Sequence, residues 1–448
     1  MKYFLALLIT CFAATSLQAQ ERVDKWDLRK LVDYAMQNNI SVKQADVQAR
    51  LAALQLKQAK YYQIPSASFN TGYGPQFGRS IDPTTNQFTT VPLYYQSYSL
   101  NGNVAFFNWG RLKNNVAANE FSAKAALTDI ERAANDVALN VATYYLQVLA
   151  SKEQINISEV QIEQRKAQIE ITAKQVAAGS LPELNLIQLE AQLASDSSTL
   201  ISNKTTFQQN VLYLKALLNI DAALPFEVET PAVDKIPLES FGEMQPEAVY
   251  QMALTNQPLQ KENELKIKAA EKTVLSNKGA MYPTIGGNYS LNTTYNNKAI
   301  DYTTGQKTPY GNQLSDNFRQ SLGVGLSIPI FNSGQNRIAY EQSKLNLKNI
   351  VLQKDQANIT LKQNIYTAYS NAVSAFEKLN AAKKSVESAQ KVYDFSFKRY
   401  EVGLLSTLEL ITNQNNLVTA KLQLVSSEYD YVFKMKLLEF YKGQGLKL

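Results

Sequence analysis

The side chains that most often perform catalysis or bind metal ions are nearly absent from this sequence. Its 448 residues include no histidine, the usual general base and a frequent metal ligand, and a single cysteine, Cys11. Ser388–Lys391 has the spacing of a serine–lysine acylase motif, but it lies inside a predicted helix without companion motifs. Gly323–Gly325 lies inside a predicted strand and precedes no phosphate-binding helix. We therefore predict no catalytic residue, no cofactor and no metal site.

The first residues have the layout of a secretory signal. Lys2 is followed by a largely apolar run of 11 residues, Phe4–Ala14, and then by a small residue, Ala19, before a charged segment. We predict a signal peptide at 1–19 and an exported protein. A lipid anchor on Cys11 is the alternative, and it is disfavoured because Thr10 stands where a smaller residue is expected.

The charges point to solvated helix faces. The chain has 45 Lys and Arg against 39 Asp and Glu, a formal net charge of +6, and both signs are scattered along the predicted helices. This pattern gives no reason to expect a nucleic-acid partner. No apolar stretch reaches the 18 residues or more that a transmembrane helix needs, so we predict no helical membrane span.

The sequence repeats itself once. An offset of 218 places Pro65 on Pro283, and an offset of 224 places Gly179 on Gly403. Matches of this kind keep the same order along both halves, which favours a duplication over chance. The predicted organisation is a signal peptide at 1–19, a first repeat at 20–220, a proline-containing connector at 221–245, a second repeat at 246–443 and a tail at 444–448.

Each half contains one very long helix and two shorter ones. The span 110–178 contains 69 residues without proline or internal glycine, which is roughly 100 Å of helix. In each half the two shorter helices together match the long one, so they would stack end to end beside it. A single-chain coiled coil explains the helices equally well. The predicted spans are 28–60, 110–178 and 183–218, then 246–280, 335–402 and 406–441.

Four segments alternate between apolar and small polar residues with the period of a strand. The first segment follows Pro65, the second precedes Asn108, the third follows Pro283 and the fourth precedes Asn332. Such segments fit a barrel with a lipid-facing exterior and a water-filled lumen, and soluble half-buried hairpins are the alternative. Four strands cannot close a barrel, and a barrel of about eight strands is filled by its own side chains. A conducting duct therefore needs at least three chains.

Aromatic residues cluster at the ends of these segments. Tyrosine and tryptophan are typical of the two surfaces of a bilayer, where a ring can contact both apolar chains and water. We predict that these residues form interfacial girdles: Tyr61, Tyr62, Tyr94, Tyr95, Trp109 and Tyr282.

Two segments resemble the TolC family of outer-membrane efflux ducts. They are Arg399–Leu410, with a weaker twin at Gln175–Pro182, and Ile328–Gly334, with a weaker twin at Phe106–Gly110. The resemblance implies a mainly α chain with a membrane β-barrel portion. Long antiparallel helices would form a periplasmic α-barrel, and four strands per chain would complete a 12-stranded barrel in a homotrimer. It also implies an outer-membrane location with a periplasmic helical extension.

The same resemblance implies partners and two sets of site residues. The duct would accept cargo from an inner-membrane pump through a periplasmic adaptor protein. Adaptor docking falls on the turns between long helices, at Gly179, Ser180, Leu181, Gly403 and Leu404. Glycine has a local reason there as well, because a left-handed residue at a helix end is cheapest without a Cβ.

The family closes its tip with tyrosine, arginine and acidic residues, and Tyr400 and Glu409 fall on such positions. Three positions depart from the pattern: Leu405, where an arginine can occur, and Thr412 and Asn185, where aspartates can occur. A ring of three Glu409 carboxylates would favour cationic cargo. An ordinary solvated glutamate is the alternative for Glu409.

Two other classes of protein remain open from the sequence. A periplasmic adaptor or scaffold also has long helical hairpins, but adaptors carry one hairpin interrupted by a compact β domain. An exported hydrolase would need a clustered acid–base pair, for which the sequence offers no motif. We favour a passive exit duct of a tripartite efflux or type I secretion system. The sequence does not identify the cargo, the pump or the resting state of the tip.

Overall fold

The computed structural model describes residues 25–81, 86–90, 92–230, 236, 238–301 and 303–443. The predicted signal peptide and the predicted tail lie outside them. The helices are α1 (Leu28–Asn38), α2 (Ile40–Tyr61), α3 (Arg111–Ala177), α4 (Glu183–Leu218), α5 (Pro246–Asn256), α6 (Pro258–Gly279), α7 (Tyr310–Asp316), α8 (Gln335–Glu401) and α9 (Thr407–Lys442). The strands are β1 (Lys25–Trp26), β2 (Ser68–Gln76), β3 (Ser80–Ile81), β4 (Phe88–Thr89), β5 (Leu93–Phe107), β6 (Glu227–Val228), β7 (Thr284–Asn296) and β8 (Arg319–Ser327).

Four helices of each half have the same lengths in the same order. α1 and α5 have 11 residues, α2 and α6 have 22, α3 and α8 have 67, and α4 and α9 have 36. These matches support the duplication. The repeat bounds at 20–220 and 246–443 stay a proposal.

The two predicted continuous helices 28–60 and 246–280 are each broken. The first break is at Asn39, whose side-chain amide donates to the carbonyl oxygen of Leu217 at 2.7 Å. The second is at Gln257, whose side chain donates to the carbonyl oxygens of Phe440 and Tyr441 at 3.0 and 3.2 Å. Each break therefore supplies hydrogen bonds to carbonyls at the end of another helix, which the helix itself leaves unsatisfied. Pro258, directly after the second break, was the sequence signal for it.

The chain forms two compact units. The hairpin unit comprises the described residues up to Gln44, Glu131–Gln257 and those from Ile359 onward. The sheet unit comprises Ala45–Ile130 and Pro258–Asn358. Part of the hairpin unit's core lies between α5, α8 and α9, where Val249, Ile365 and Met435 are fully buried. Among the described helices, none combines the length and apolar character needed to cross a bilayer.

The connector contains a little regular structure where it is described. β6 pairs in parallel with β1, so that Lys25 lies beside Glu227 and Trp26 beside Val228. A short 3₁₀ helix, Phe241–Met244, precedes α5. Residues 231–235 and 237 of the predicted connector lie outside the described part of the chain.

The sheet unit contains an antiparallel sheet in the order β2-β5-β7-β8. Its four strands are the four predicted from the alternating segments. Glycines make room for large rings on this sheet: Tyr289 occupies the space that a Cβ at Gly102 would need, and Phe106 occupies that of Gly287. Among the described strands, β2 and β8 each have a neighbour on one side only, so both present open edges.

One face of the sheet is apolar and exposed. Leu322 and Val324 on β8 are 90 and 74 % exposed, and Phe69 on β2 is 63 % exposed. The opposite face is polar, and there the Ser290 hydroxyl donates to the Asn101 side-chain oxygen at 2.9 Å. A cavity of about 690 Å³ lies on this unit, and its lining includes Asn103, Asn288 and Arg111.

Candidate functional site: the hairpin turns

The two turns between long helices have the same backbone geometry. Gly179 and Gly403 have left-handed φ angles of 72° and 74°. In the first turn the Ser180 amide donates to the carbonyl oxygen of Gln175 at 2.9 Å. In the second the Leu404 amide donates to the carbonyl oxygen of Arg399 at 2.8 Å. Both are Schellman turns, which satisfy carbonyl oxygens at the end of a helix.

Glycine is required in these turns by the backbone and not by a neighbouring atom. A Cβ built on Gly179 or Gly403 would meet nothing within 4 Å, so a small side chain has space. The positive φ angle nevertheless strains any other residue, and proline cannot adopt it at all.

The side chains around the two turns differ in exposure. Leu404 and its neighbour Val402 are both 68 % exposed, and Leu408 is 64 % exposed, much as its counterpart Leu184 is at 62 %. In the first turn Ser180 is exposed, whereas Leu181 is half-buried. The second turn therefore offers the larger apolar surface to a partner.

Tyr400 is buried in a cluster of hydroxyl groups at the turns. Its side chain is 2 % exposed, and its hydroxyl lies 2.6 Å from the hydroxyl of Thr172 on α3. Thr407 at the start of α9 lies 3.5 Å from the same Tyr400 hydroxyl and donates to the Asn185 side-chain oxygen at 2.7 Å. This tip cluster of Thr172, Asn185, Tyr400 and Thr407 connects four helices: α3, α4, α8 and α9.

The two predicted gate residues have different surroundings. Glu409 is exposed, and its backbone amide donates to the hydroxyl of Ser406, the N-cap of α9. Tyr400 is buried and bonded within the tip cluster, so the structure does not bring the two side chains together. Asn185 departs from the family pattern but still accepts a hydrogen bond, as an aspartate at that position would.

A second polar network lies deeper in the hairpin unit, and the sequence reasoning missed it. Arg165 is fully buried, and its Nε lies 3.1 Å from Oδ2 of Asp196, which is 5 % exposed. The guanidinium also donates to the side-chain oxygens of Gln168 at 3.1 Å and Asn415 at 3.4 Å. The Gln168 amide in turn donates to the Tyr393 hydroxyl at 3.2 Å. This Arg165 network also connects α3, α4, α8 and α9.

The Arg165–Asp196 pair belongs to a longer polar seam between α3 and α4. Asn203 donates to the Ser158 hydroxyl at 2.8 Å, and Asn210 lies 3.3 Å from the Ser151 hydroxyl. The members recur every seven residues on both helices, the spacing of a coiled-coil interface. That spacing was the signal for the seam in the sequence. The seam consists of Ser151, Ser158 and Arg165 on α3 facing Asn210, Asn203 and Asp196 on α4.

The described residues show no arrangement that could hold a metal ion. Within the described ranges, no three carboxylates come close enough together to bind one. The polar clusters of the hairpin unit instead contain hydroxyl, amide and guanidinium groups and the carboxylate of Asp196, bonded to one another. Such clusters hold helices in one arrangement.

The chain is similar to known proteins over most of its length. A family model described as "Outer membrane efflux protein" matches residues 31–219 and 249–441. The chain belongs to the outer membrane efflux protein family. This result confirms the resemblance noted in the sequence and favours the duct over the adaptor.

Relatives of this outer membrane efflux protein are similar along most of the chain. The outer membrane efflux protein BepC of Brucella suis is 25 % identical over 369 residues, covering 81 % of this chain and 75 % of BepC. A crystal structure of CusC superposes with a TM-score of 0.79 at 20 % identity, covering 96 % of this chain and 95 % of CusC. The crystal structure of the CmeC outer membrane channel of Campylobacter jejuni superposes with a TM-score of 0.77 at 20 % identity, covering 94 % of this chain and 86 % of CmeC.

The predicted fold class is confirmed by these structures, and the predicted location in the outer membrane is confirmed by the family. Members of this family are channels rather than enzymes. The docking residues and the gate residues stay predictions.

Proposed function

We propose that this outer membrane efflux protein is a homotrimeric exit duct that performs no catalysis. One observation carries the proposal: a four-stranded sheet with two open edges and one exposed apolar face, in a chain of this family. An open edge in lipid leaves backbone amides and carbonyls without partners, so the edges must pair with other copies. Twelve strands from three copies would leave an aqueous lumen, whereas eight from two would not.

The two faces of the sheet supply the two environments that such a barrel needs. The apolar face, with Phe69, Leu322 and Val324, would contact outer-membrane lipid. The polar face and its cavity would line the lumen. The predicted girdle residues Tyr61, Tyr62 and Trp109 are exposed, as contact with lipid headgroups requires.

Conductance and mass of the purified protein test this proposal together. We expect a trimer in mild detergent that gives stepwise ionic current in planar lipid bilayers. A variant with Leu322→Pro on the β8 edge should lose both, because proline cannot donate to a strand ladder. A protein that is monomeric and carries no current would refute the duct.

We also propose that a periplasmic adaptor protein docks on the turns at Gly179, Ser180, Leu181, Gly403 and Leu404, and passes on cargo from an inner-membrane pump. The exposed apolar surface around Leu404 supports this. Leu404→Glu should weaken capture of the adaptor and reduce export while leaving the trimer intact. Gly403→Pro should act more strongly, because its ring fixes a negative φ. Normal export by a variant altered at both turns would contradict the docking.

Tyr400 and Glu409 are the proposed gate residues. The tip cluster would hold the closed state, because opening must separate helices that Tyr400 connects. Tyr400→Phe removes the hydroxyl that meets Thr172, and a buried hydrogen bond contributes about 1 kcal/mol. We expect an about fivefold shift toward open channels in single-channel records. Thr419→Val, at an exposed threonine of α9 farther from the tip, is the matched control, and an equal shift there would contradict the assignment.

A further inference from the structure

Two exposed apolar stripes in the sheet unit have the spacing of coiled-coil interfaces. The α2 stripe consists of Val47, Leu54 and Tyr61, which are 53, 61 and 57 % exposed. The α8 stripe consists of Ile338, Leu345 and Leu352, which are 54, 68 and 56 % exposed. The members of each stripe are seven residues apart, so each set lies along one side of its helix.

The corresponding positions in the other half of the chain are covered. α8 corresponds to α3 at an offset of 224, and α2 corresponds to α6 at an offset of 218. The counterparts of the α8 stripe are at least half-buried, and so are those of the α2 stripe. They are Asn114, Phe121 and Thr128 on α3, and Leu265, Lys272 and Gly279 on α6.

At the end nearest the sheet, α6 packs against α3. The Ser276 hydroxyl on α6 donates to the carbonyl oxygen of Arg111 at 3.0 Å. At Gly279 a Cβ would lie 3.1 Å from Cβ of Arg111, which shows how closely the helices approach. The strands that continue these helices are also paired, because β7 follows α6, β5 precedes α3, and β5 pairs with β7.

The exposed stripes lie on α2 and α8, the two helices that continue into the edge strands of the sheet. β2 follows α2, and β8 precedes α8. Pairing β8 of one copy with β2 of the next would therefore place α8 beside α2 of that next copy, antiparallel, as α3 lies beside α6 within one chain. We propose that the α8 stripe of one protomer packs against the α2 stripe of its neighbour, an inference that rests on the proposed trimer.

The contact between α6 and α3 also gives the register of this seam. Gly279 on α6 lies opposite Arg111 on α3. Their counterparts are Tyr61 on α2, at the offset of 218, and Gln335 on α8, at the offset of 224, so Tyr61 would lie opposite Gln335. Because the helices are antiparallel, ten residues back along α2 and ten forward along α8 place Leu51 opposite Leu345. Val47 then falls between Leu345 and Leu352, and Leu54 falls between Ile338 and Leu345. Each apolar side chain enters the gap between two others, as coiled-coil packing requires.

Disulfide formation in the assembled protein tests both the partner and the register. Cys11 is the only native cysteine, so the background is Cys11→Ala. The test variant is Leu51→Cys with Leu345→Cys in the full chain, oxidised in outer-membrane vesicles. The control is Leu54→Cys with Leu352→Cys, whose Cα atoms would be about 15 Å apart along the helices, beyond the reach of a disulfide. We expect covalent dimers and trimers from more than half of the test chains and at least tenfold less from the control.

The outcomes separate the seam from the duct. Cross-linking of the test pair alone, at multiples of the chain mass, supports the seam. A disulfide within one chain, equal cross-linking of both pairs, or none in a protein that stays trimeric and conducting overturns the seam and leaves the duct intact. A monomeric parent protein without current overturns both.

Discussion

The two long hairpins of the hairpin unit, α3–α4 and α8–α9, have equal helix lengths but different interiors. The first contains the polar seam, in which Arg165 pairs with Asp196. At the same offset of 224 the second contains Ala389 and Ala420 in their place. Two further seam positions, Ser151 and Ser158, also correspond to alanines, Ala375 and Ala382, and both of these are buried.

This difference indicates how each hairpin holds its register. A polar pair is satisfied in one alignment, because a shift along the axis separates donor from acceptor and leaves both buried. The alanines at 375, 382 and 389 on α8 make similar contacts in several alignments and lose little on a small shift. The next position of this row, Ser396, is polar and accepts from the Asn413 amide at 2.8 Å, so the second hairpin has a polar contact near the tip but alanines along the rest of the row. We therefore expect the first hairpin to be the more rigid of the two. If the tip opens, we expect α8 and α9 to adjust.

Removing one partner of the buried ion pair should have the largest effect. Asp196→Ala leaves the Arg165 guanidinium buried without its carboxylate, which costs about 3–5 kcal/mol in the free energy of unfolding. Urea unfolding followed by helical circular dichroism, at one protein and one detergent concentration, measures the change. Glu163→Ala breaks an exposed pair with Lys166 and should cost about 1 kcal/mol or less.

A double substitution tests whether stability depends on the ion pair itself or only on leaving no buried charge without its partner. Arg165→Met with Asp196→Leu replaces the ion pair by apolar side chains, as the counterparts Ala389 and Ala420 are apolar in the second hairpin. Apolar residues of similar volume often replace a buried ion pair without loss, so most of the stability should return. A double variant as unstable as Asp196→Ala would mean that the wider network, including Gln168 and Asn415, depends on the pair.

Much of this fold could be predicted, because its signals are local. Gly179 and Gly403 end long helices, and the alternation around Gly323–Gly325 and its three partner segments gave the sheet. The Arg165 network was missed, because a polar residue every seventh position on a long helix is equally typical of a solvated face. Only the contact with Asp196, 31 residues along the chain, distinguishes a buried polar network from a solvated helix face. The break at Asn39 likewise depends on a carbonyl 178 residues away.

Tyr145 anchors the other end of the first hairpin and should make its stability pH-dependent. Its buried hydroxyl donates to the carbonyl oxygen of Glu229 at 2.9 Å. Burial, with the charge of Glu229 adding to it, raises the pKa of Tyr145 well above its ordinary value of 10.0. The protonated form is therefore favoured by folding, so its contribution is complete below pH 10 and decreases as the pH rises further.

Tyr145→Phe should lower the free energy of unfolding by about 1 kcal/mol at neutral pH. The variant should also lose stability less steeply than the parent above pH 10. Urea unfolding at several pH values between 7 and 11.5 measures both effects. Tyr213→Phe, at an exposed tyrosine of α4, should leave the neutral-pH value unchanged. Parallel curves for Tyr145→Phe and the parent protein would contradict the pKa shift.

The N-cap of α9 gives a smaller and more local difference between the hairpins. The Ser406 hydroxyl accepts from the Glu409 amide at 3.2 Å, whereas Pro182, its counterpart before α4, makes no such bond. Ser406→Ala should cost about 1 kcal/mol. Amide hydrogen exchange at the start of α9 should then become about fivefold faster. The control Ser180→Ala, at a hydroxyl exposed in the first turn, should leave exchange in α9 unchanged, and equal acceleration in both variants would mean general fraying.

The smallest effect is expected from charge alone, at the pair of counterparts Glu409 and Asn185. Glu409 is exposed, whereas Asn185 accepts from Thr407. If three Glu409 carboxylates line the proposed gate, divalent cations should bind there and block the current. Glu409→Gln should then weaken this block severalfold. It should change the free energy of unfolding by no more than about 0.5 kcal/mol. Asn185→Asp adds a carboxylate at the matching position of the first hairpin and keeps the acceptor, so it should strengthen the block. An unchanged block in Glu409→Gln would assign Glu409 to the solvated surface, because the charge of a gate residue must act on the ions that pass it.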